Sequence, residues 1–375
     1  MKILIISQRA IIPRHQHKFR LLAENSNVQI KILMPYFWKE RSSGSVFHYE
    51  NVNGHNKFKT VTYKSFSSKW FSRRVIFFLD VWQALKFHPD ILWVDDEPTS
   101  RLLTKWIRIK RLFMPWGRVF CTARDPRYKQ LSASKKKIEK VNYQQLSCIF
   151  STNKIVSNNL LRKGFGGKII ELPSEFQFDE DQQQKSPLDI KKSLGLNQQV
   201  VGYIEPKISK QALFILLESF ARIPLNFSLL IVGQSNDKKE IQEKLEALGL
   251  NSRTKLVGEF DYPRIKNYLS AMDVLIDPTY DPMVWSELMA DVLNDAASMD
   301  IPVIGLKSGL RLDETYENIT NSSDKRDEIS QSIKSVLNDF EKREEVIKRG
   351  RRNLFKTDPQ QFTSSTISFL KSTLK

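Results

Sequence analysis

The sequence predicts an α/β protein of two domains, each a mainly parallel sheet flanked by helices. Three observations predict it. The chain has 375 residues, enough for two separate cores. Short apolar runs alternate with stretches of helical periodicity, the pattern of a parallel sheet with crossover helices. The alternation is interrupted by SEFQFDEDQQQKSP, in Pro173–Pro187, which is polar, acidic and glutamine-rich and reads as a linker or exposed loop.

In the first series, Lys2–Ser7 and Val28–Met34 read as strands, Arg73–Phe87 as a helix and Asp90–Val94 as a short buried strand. Val119–Thr122, Cys148–Ser151 and Ile169–Leu172 are further strands. After the break, strands are expected at Val200–Ile204, Ser228–Val232, Lys255–Val257, Val274–Ile276 and Val303–Gly305. Helices are expected at Lys210–Arg222, Lys238–Leu248, Pro263–Ser270, Glu287–Ala297, Asp327–Leu337 and Glu341–Asn353. Ligands of open parallel sheets bind beyond the carboxyl ends of the strands. That directs attention to the loops after Ile204, Val232, Ile276 and Gly305, and two facing domains would put a cleft between them.

The opening apolar run stops after Ile6 and is followed by Arg9, Arg14, His15 and His17, so it reads as a buried strand and not a signal peptide. No window approaches a membrane-spanning length. Cys121 and Cys148 lack metal-ligand spacing, and the five histidines all precede residue 90 without metal-site partners. No metal site is expected, and the cysteine usage fits a reduced, cytosolic setting. KGFGG at 163–167 reads as a helix C-cap and turn, because it lies between a helix and a strand, the reverse of a phosphate loop.

The net charge of +17 is unevenly placed. Residues 1–190 carry 33 Lys and Arg against 16 Asp and Glu, whereas 191–375 carry 26 of each. The first half therefore suits an anionic partner, or presents a solubilising face. KWIRIKRLFMPWGR, Lys105–Arg118, interleaves five cations with tryptophan, phenylalanine and aliphatics. It reads either as an anionic-membrane contact or as an amphipathic helix on the sheet with its basic side in water. Nucleic acid is not favoured, since no recognised binding signature is present, and Lys135–Lys137 reads as a solvated helix face.

Four segments of the second half carry a family resemblance: VVGYIEPKISKQALFILLESFARIP, SLLIVGQSNDKKEIQEKLEALGL, TKLVGEFDYPRIKNYLSAMDVLIDPT and MVWSELMADVLNDAASMDIPVIGLKSG. Together, over about 200–310, they resemble the retaining GT-B glycosyltransferases of family 4, in particular those of bacterial polysaccharide assembly. The opening strand, HPDILWVDDEP and IFSTNKIVSNNLLRKGFGGKIIELP match more weakly. The resemblance implies an N-terminal acceptor-side Rossmann-like domain at 1–180 and a nucleotide-sugar domain at 181–350. It also implies a tail at 351–375 returning to the first domain, with Phe362, Ile367, Phe369 and Leu370 as its apolar stripe.

Its implied activity is transfer of a hexose from a nucleotide sugar, a UDP- or GDP-sugar, to a polysaccharide or lipid-linked acceptor, with no separate cofactor. Glu287 and Asp295 stand at the spacing of the family's carboxylate pair, the first toward the hexose and the second toward the ribose. Leu288, Met289 and Ala290 occupy its glycine-containing loop, where side chains restrict backbone approach. Gly233 and Gly258 fall at the donor side, with Gly258 toward the base. Where the family grips the diphosphate with Arg and Lys, this chain has Pro206 and Gln211. Lys207 and Lys210, one position away, read either as replacement cations or as surface lysines.

In the first half, Asp96 falls near the family's sugar-contacting histidine, with Glu97 beside it, and Arg9 occupies the place of the family's Gly-Gly loop. Arg124, or Arg127, offers a further cation on the acceptor side. Two expectations follow: an active but divergent transferase, or a degenerate GT-B pseudo-enzyme that binds a glycan or partner.

Overall fold

The structure, a computed structural model, describes residues 1–24, 27–39, 46–48, 58–63, 78–125, 131–172, 186–196, 199–258, 264–277, 287–305, 319–321, 325–354 and 359–374. Most of the acidic stretch Pro173–Pro187, and Arg127, lie outside them. The chain divides into two compact units. Unit 1 takes Met1–Lys39, Val46–Phe178 and Thr357–Lys375, and unit 2 takes Asp179–Lys356.

Unit 1 begins with β1 (Lys2–Ile6), α1 (His17–Glu24), β2 (Gln29–Pro35), the short antiparallel pair β3 (Phe37–Lys39) and β4 (Val46–His48), and β5 (Phe58–Tyr63). It continues through α2 (Phe78–Phe87), β6 (Ile91–Val94), α3 (Arg101–Phe113), β7 (Arg118–Ala123), α4 (Ala133–Tyr143), β8 (Cys148–Ser151), α5 (Lys154–Arg162) and β9 (Lys168–Glu171). The seven-stranded sheet runs β5-β2-β1-β6-β7-β8-β9, with every pairing parallel.

Unit 2 contains α6 (Pro187–Leu194), β10 (Gln199–Lys207), α7 (Lys210–Phe220), β11 (Phe227–Gln234), α8 (Lys238–Ala247), β12 (Thr254–Val257) and α9 (Ile265–Ser270). Then come β13 (Val274–Asp277), α10 (Glu287–Ser298), β14 (Val303–Gly305), β15 (Ile319–Asn321), α11 (Arg326–Asn338) and α12 (Phe340–Leu354). Its six-stranded sheet runs β12-β11-β10-β13-β14-β15, again all parallel. The last helix, α13 (Pro359–Leu374), places Ile367 and Leu370 in the core of unit 1 with Phe19, Trp93 and Phe150.

Strand order follows from burial on both sheet faces. The central strands β1 and β6 are apolar at successive positions, and Ile3, Leu4, Ile5 and Trp93 are fully buried. Each sheet starts at a central strand, builds outward to one side, then returns to build the other. The order therefore reverses between β1 and β6 in unit 1 and between β10 and β13 in unit 2. At such a switch point the loops diverge beyond the carboxyl ends of the strands and leave a crevice.

The segment 105–118 divides. Trp106 and Ile107 of α3 are buried against the sheet, whereas Leu112, Phe113 and Trp116 at its far end are exposed. Gly164, at φ +82 just beyond α5, takes the left-handed conformation of a helix end. Among the described residues no helix is long and apolar enough to cross a membrane. Both cysteines are free and buried, and they face different core layers.

Candidate functional site

Each unit carries a polar cluster at its own switch point. In unit 2, β10 runs past its neighbours and brings Glu205 to the carboxyl edge, and β13 ends there in Asp277. Both side chains are buried, Asp277 at 1% exposure. One oxygen of Glu205 accepts the Tyr203 hydroxyl at 2.6 Å and the Ser209 amide at 2.7 Å. Ser209 in turn caps α7 by accepting the Ala212 amide. Burial pushes the Glu205 carboxyl up to about 7; the Tyr203 and Ser209 hydrogen bonds oppose the rise and the Asp277 charge adds to it. Burial, reinforced by Glu205, raises the Tyr203 hydroxyl well above its usual range.

Gly233, at the end of β11, is placed by Glu205. At φ +154 a Cβ on residue 233 would stand 1.9 Å from the Glu205 carbonyl oxygen, so only glycine lets the two strand ends approach. Gly258 differs: the nearest atom to its would-be Cβ is the Lys238 Nζ at 3.9 Å. Pro206 is buried, Gln211 is exposed, and Lys207 is exposed at the tip of β10. Lys210, the first residue of α7, forms an exposed ion pair with Glu240 at 2.8 Å, whose hydrogen bond and charge raise the lysine's affinity for its proton.

Glu287 is the first residue of α10, at the helix end that favours anions and anion acceptors. The side chains of Glu287, Leu288 and Ala290 lie outside the described part of the structure. Met289 is buried. Asp295 is buried at 2% exposure and, with Asp291 one turn earlier, forms an acidic row on the helix. Glu205, Asp277 and Asp291 were not singled out by sequence reasoning. The spacing of Asp291 between Glu287 and Asp295 was a signal for one of them, whereas Glu205 and Asp277 are 72 positions apart and meet only through strand order.

In unit 1 the carboxyl ends of β1, β6 and β7 gather around Asp95. Its carboxylate pairs with the Arg124 guanidinium and accepts the Ser7 hydroxyl at 2.7 Å. Burial raises this carboxyl, but Arg124 first, then Lys18, the Ser7 hydroxyl and Arg9 outweigh it and hold it well below the usual carboxylate range. Arg9 is buried and lies 3.2 Å from His15 Nε2. Asp96 accepts the Glu97 amide at 2.8 Å and the Ser100 hydroxyl at 2.6 Å, and Ser100 caps α3. Glu97 accepts the amides of Arg124 and Asp125 at 2.7 and 3.1 Å. The predicted residues Arg9, Asp96, Glu97 and Arg124 thus do come together, but the two carboxylates hold their own loops. The charged hub is Asp95, which the sequence reading passed over.

Comparison with known proteins adds a family match over part of the chain and a fold. Residues 187–353 match the family described as glycosyl transferases group 1. No curated protein matches the chain in sequence. Among solved structures, the chain is similar to Anabaena HepE in complex with UDP-glucose, at 16% identity and a TM-score of 0.67, covering 99% of this chain and 100% of that one. A glycosyltransferase from Rickettsia africae has 13% identity and a TM-score of 0.67, covering 100% and 98% respectively. Sucrose-phosphate synthase from Thermosynechococcus elongatus has 14% identity and a TM-score of 0.65, covering 99% and 98%. The two parallel-sheet units are thus those of the GT-B fold, and the second carries the match to glycosyl transferases group 1.

Proposed function

We propose that the protein is a retaining glycosyltransferase that moves a hexose from a nucleotide sugar to a polysaccharide or lipid-linked glycan acceptor on the cytoplasmic side of the membrane. The observation that carries this reading is α10, within the matched segment, with Glu287 at its first turn and the buried Asp295 two turns on. A buried carboxylate is a bidentate acceptor for vicinal hydroxyls such as those of a ribose. The donor diphosphate would lie beyond β10, near the amino ends of α7 and α10, where helix amides favour anions. Lys207 is the exposed cation at that end of β10.

In the transfer, the bond between the anomeric carbon and the diphosphate oxygen breaks and a bond to an acceptor hydroxyl oxygen forms, with loss of the hydroxyl proton. The charge developing on the leaving diphosphate is what helix amides and Lys207 would stabilise. HepE was solved with UDP and glucose, which supports a UDP-sugar as the first donor to test.

The test has two parts. A thermal-shift panel of UDP, GDP, ADP and CMP should show stabilisation by one nucleotide, by about 2.7 kcal/mol at a hundredfold excess over Kd. Incubation with the matching sugar nucleotides should release that nucleotide. No stabilisation and no release with any donor sinks the transferase reading and leaves a degenerate binding protein.

A further inference from the structure

The amino-end edge of the unit 1 sheet carries cations and exposed aromatic groups that the transfer chemistry does not use. Both α2 and α3 end at this edge, on the same face of the sheet. Asp90 ties the edge together: its carboxylate accepts the Lys2 amide at 2.7 Å and its carbonyl accepts the Arg118 amide at 3.0 Å. From the α2 end, His88 stacks on Trp116 at 4.2 Å between ring centroids, and the Trp116 indole donates to the Pro89 carbonyl at 3.2 Å. Trp116 therefore joins the two helix ends into one strip.

The strip is cationic. Lys2 and Lys31 both lie over the Phe87 ring, at 5.8 and 4.8 Å, and Lys86 lies 5.2 Å over Trp82. Burial first, then the charges of Lys59, Lys86 and Lys2, lower the proton affinity of Lys31. None of Lys31, Lys59, Lys86, Arg111 and Arg118 has an ion-pair partner among the described residues. The strip is also apolar at its crest. Leu112 is 73% exposed, Phe113 51%, Trp82 47% and Trp116 45%. Large exposed apolar groups beside cations that lack an ion-pair partner among the described residues mark an interaction surface.

We infer that this edge, centred on Leu112, Phe113 and Trp116 and flanked by Lys86 and Arg111, docks on an anionic phospholipid bilayer. Tryptophan, phenylalanine and leucine suit the depth between headgroups and acyl chains, and lysine and arginine suit the anionic surface above it. A nucleic-acid duplex would meet the cations but leave Leu112 and Phe113 in water. The docking edge lies at the amino ends of β1, β6 and β7, about 15–20 Å of strand length from the Asp95 cluster at their carboxyl ends. Docking is therefore separate from the polar cluster and stands whether or not the chain transfers sugar.

The experiment is sedimentation of the full chain with vesicles of phosphatidylcholine, alone and with phosphatidylglycerol, at low and raised salt. Binding is expected with the anionic vesicles at low salt, weakened by salt, and absent with phosphatidylcholine alone. Lys86→Ala and Arg111→Ala should each weaken binding about five-fold. Leu112→Glu should abolish it, and because that position is exposed the thermal midpoint should stay at the wild-type value. Failure of the wild-type chain to prefer anionic vesicles overturns the inference, as does unchanged binding by Leu112→Glu. Duplex DNA that binds wild type and Leu112→Glu alike, without vesicle binding, assigns the edge to nucleic acid and overturns it too.

Discussion

The Tyr203 hydroxyl donates to the Glu205 carboxylate at 2.6 Å inside the carboxyl edge of the unit 2 sheet, beside the buried Asp277. This places a carboxyl that titrates at about 7 where the proposed donor diphosphate would approach. As pH rises through 7 the group ionises and repels the diphosphate. Nucleotide affinity should therefore fall between pH 6 and 8, and Glu205→Gln should flatten that dependence; isothermal titration across the range reads it. The same shift acts on stability. The folded value is raised above the ordinary 4.5, so the contribution is present at acid pH and is lost as pH rises through 7. Relative to Glu205→Gln, the wild type should lose about 3 kcal/mol as pH rises from about 4.5 to 7, measured by denaturant unfolding.

The contrast between two glycines tests strand approach. Gly233→Ala drives a methyl into the Glu205 carbonyl at a positive φ and should cost about 2–4 kcal/mol. Gly258→Ala makes only an ordinary contact with the flexible end of Lys238, at 3.9 Å, and should change stability by less than about 0.5 kcal/mol. Equal midpoints for the two variants would falsify the account of Gly233.

Asp95 and Arg124 form a buried pair, so removing one partner strands the other. Arg124→Met should cost about 3–5 kcal/mol, and adding Asp95→Leu should recover part of that loss. Asp95 has a depressed folded value, so its stabilisation is present above the ordinary carboxylate range and is lost as pH falls below it. Acid unfolding should shift to higher pH in Ser7→Ala, which removes one of the hydrogen bonds holding the charge.

Variants on α10 separate binding from chemistry. If Asp295 holds the ribose, Asp295→Asn should reduce the nucleotide's thermal shift while leaving the unliganded fold intact by circular dichroism. If Glu287 contacts the hexose, Glu287→Gln should leave nucleotide binding unchanged and lower kcat by about a hundredfold or more. A wild-type rate in Glu287→Gln removes that residue from the proposed site.

By itself the sequence determined the α/β class, the two series of elements and most helix positions. The apolar face of α10 gave an expected span of Glu287–Ala297 against the observed Glu287–Ser298. Periodicity reports burial along one element, and that is local information. Some local signals were passed over: α6 carries Pro187 in its first turn and Gly195 at φ +71 at its end, but the polar stretch before it hid the helix. β5 was not read either, although Phe58 is buried. What only tertiary structure decided was which strand ends are neighbours. Ser7 meets Asp95 across 88 positions, and Glu205 meets Asp277 across 72, because the strand order reverses between β1 and β6 and between β10 and β13. Strand order depends on how whole faces are covered by helices, and no window of sequence contains it. The same holds for Lys105–Arg118: its composition left core and surface readings open, and packing put Trp106 in the core and Leu112 in water.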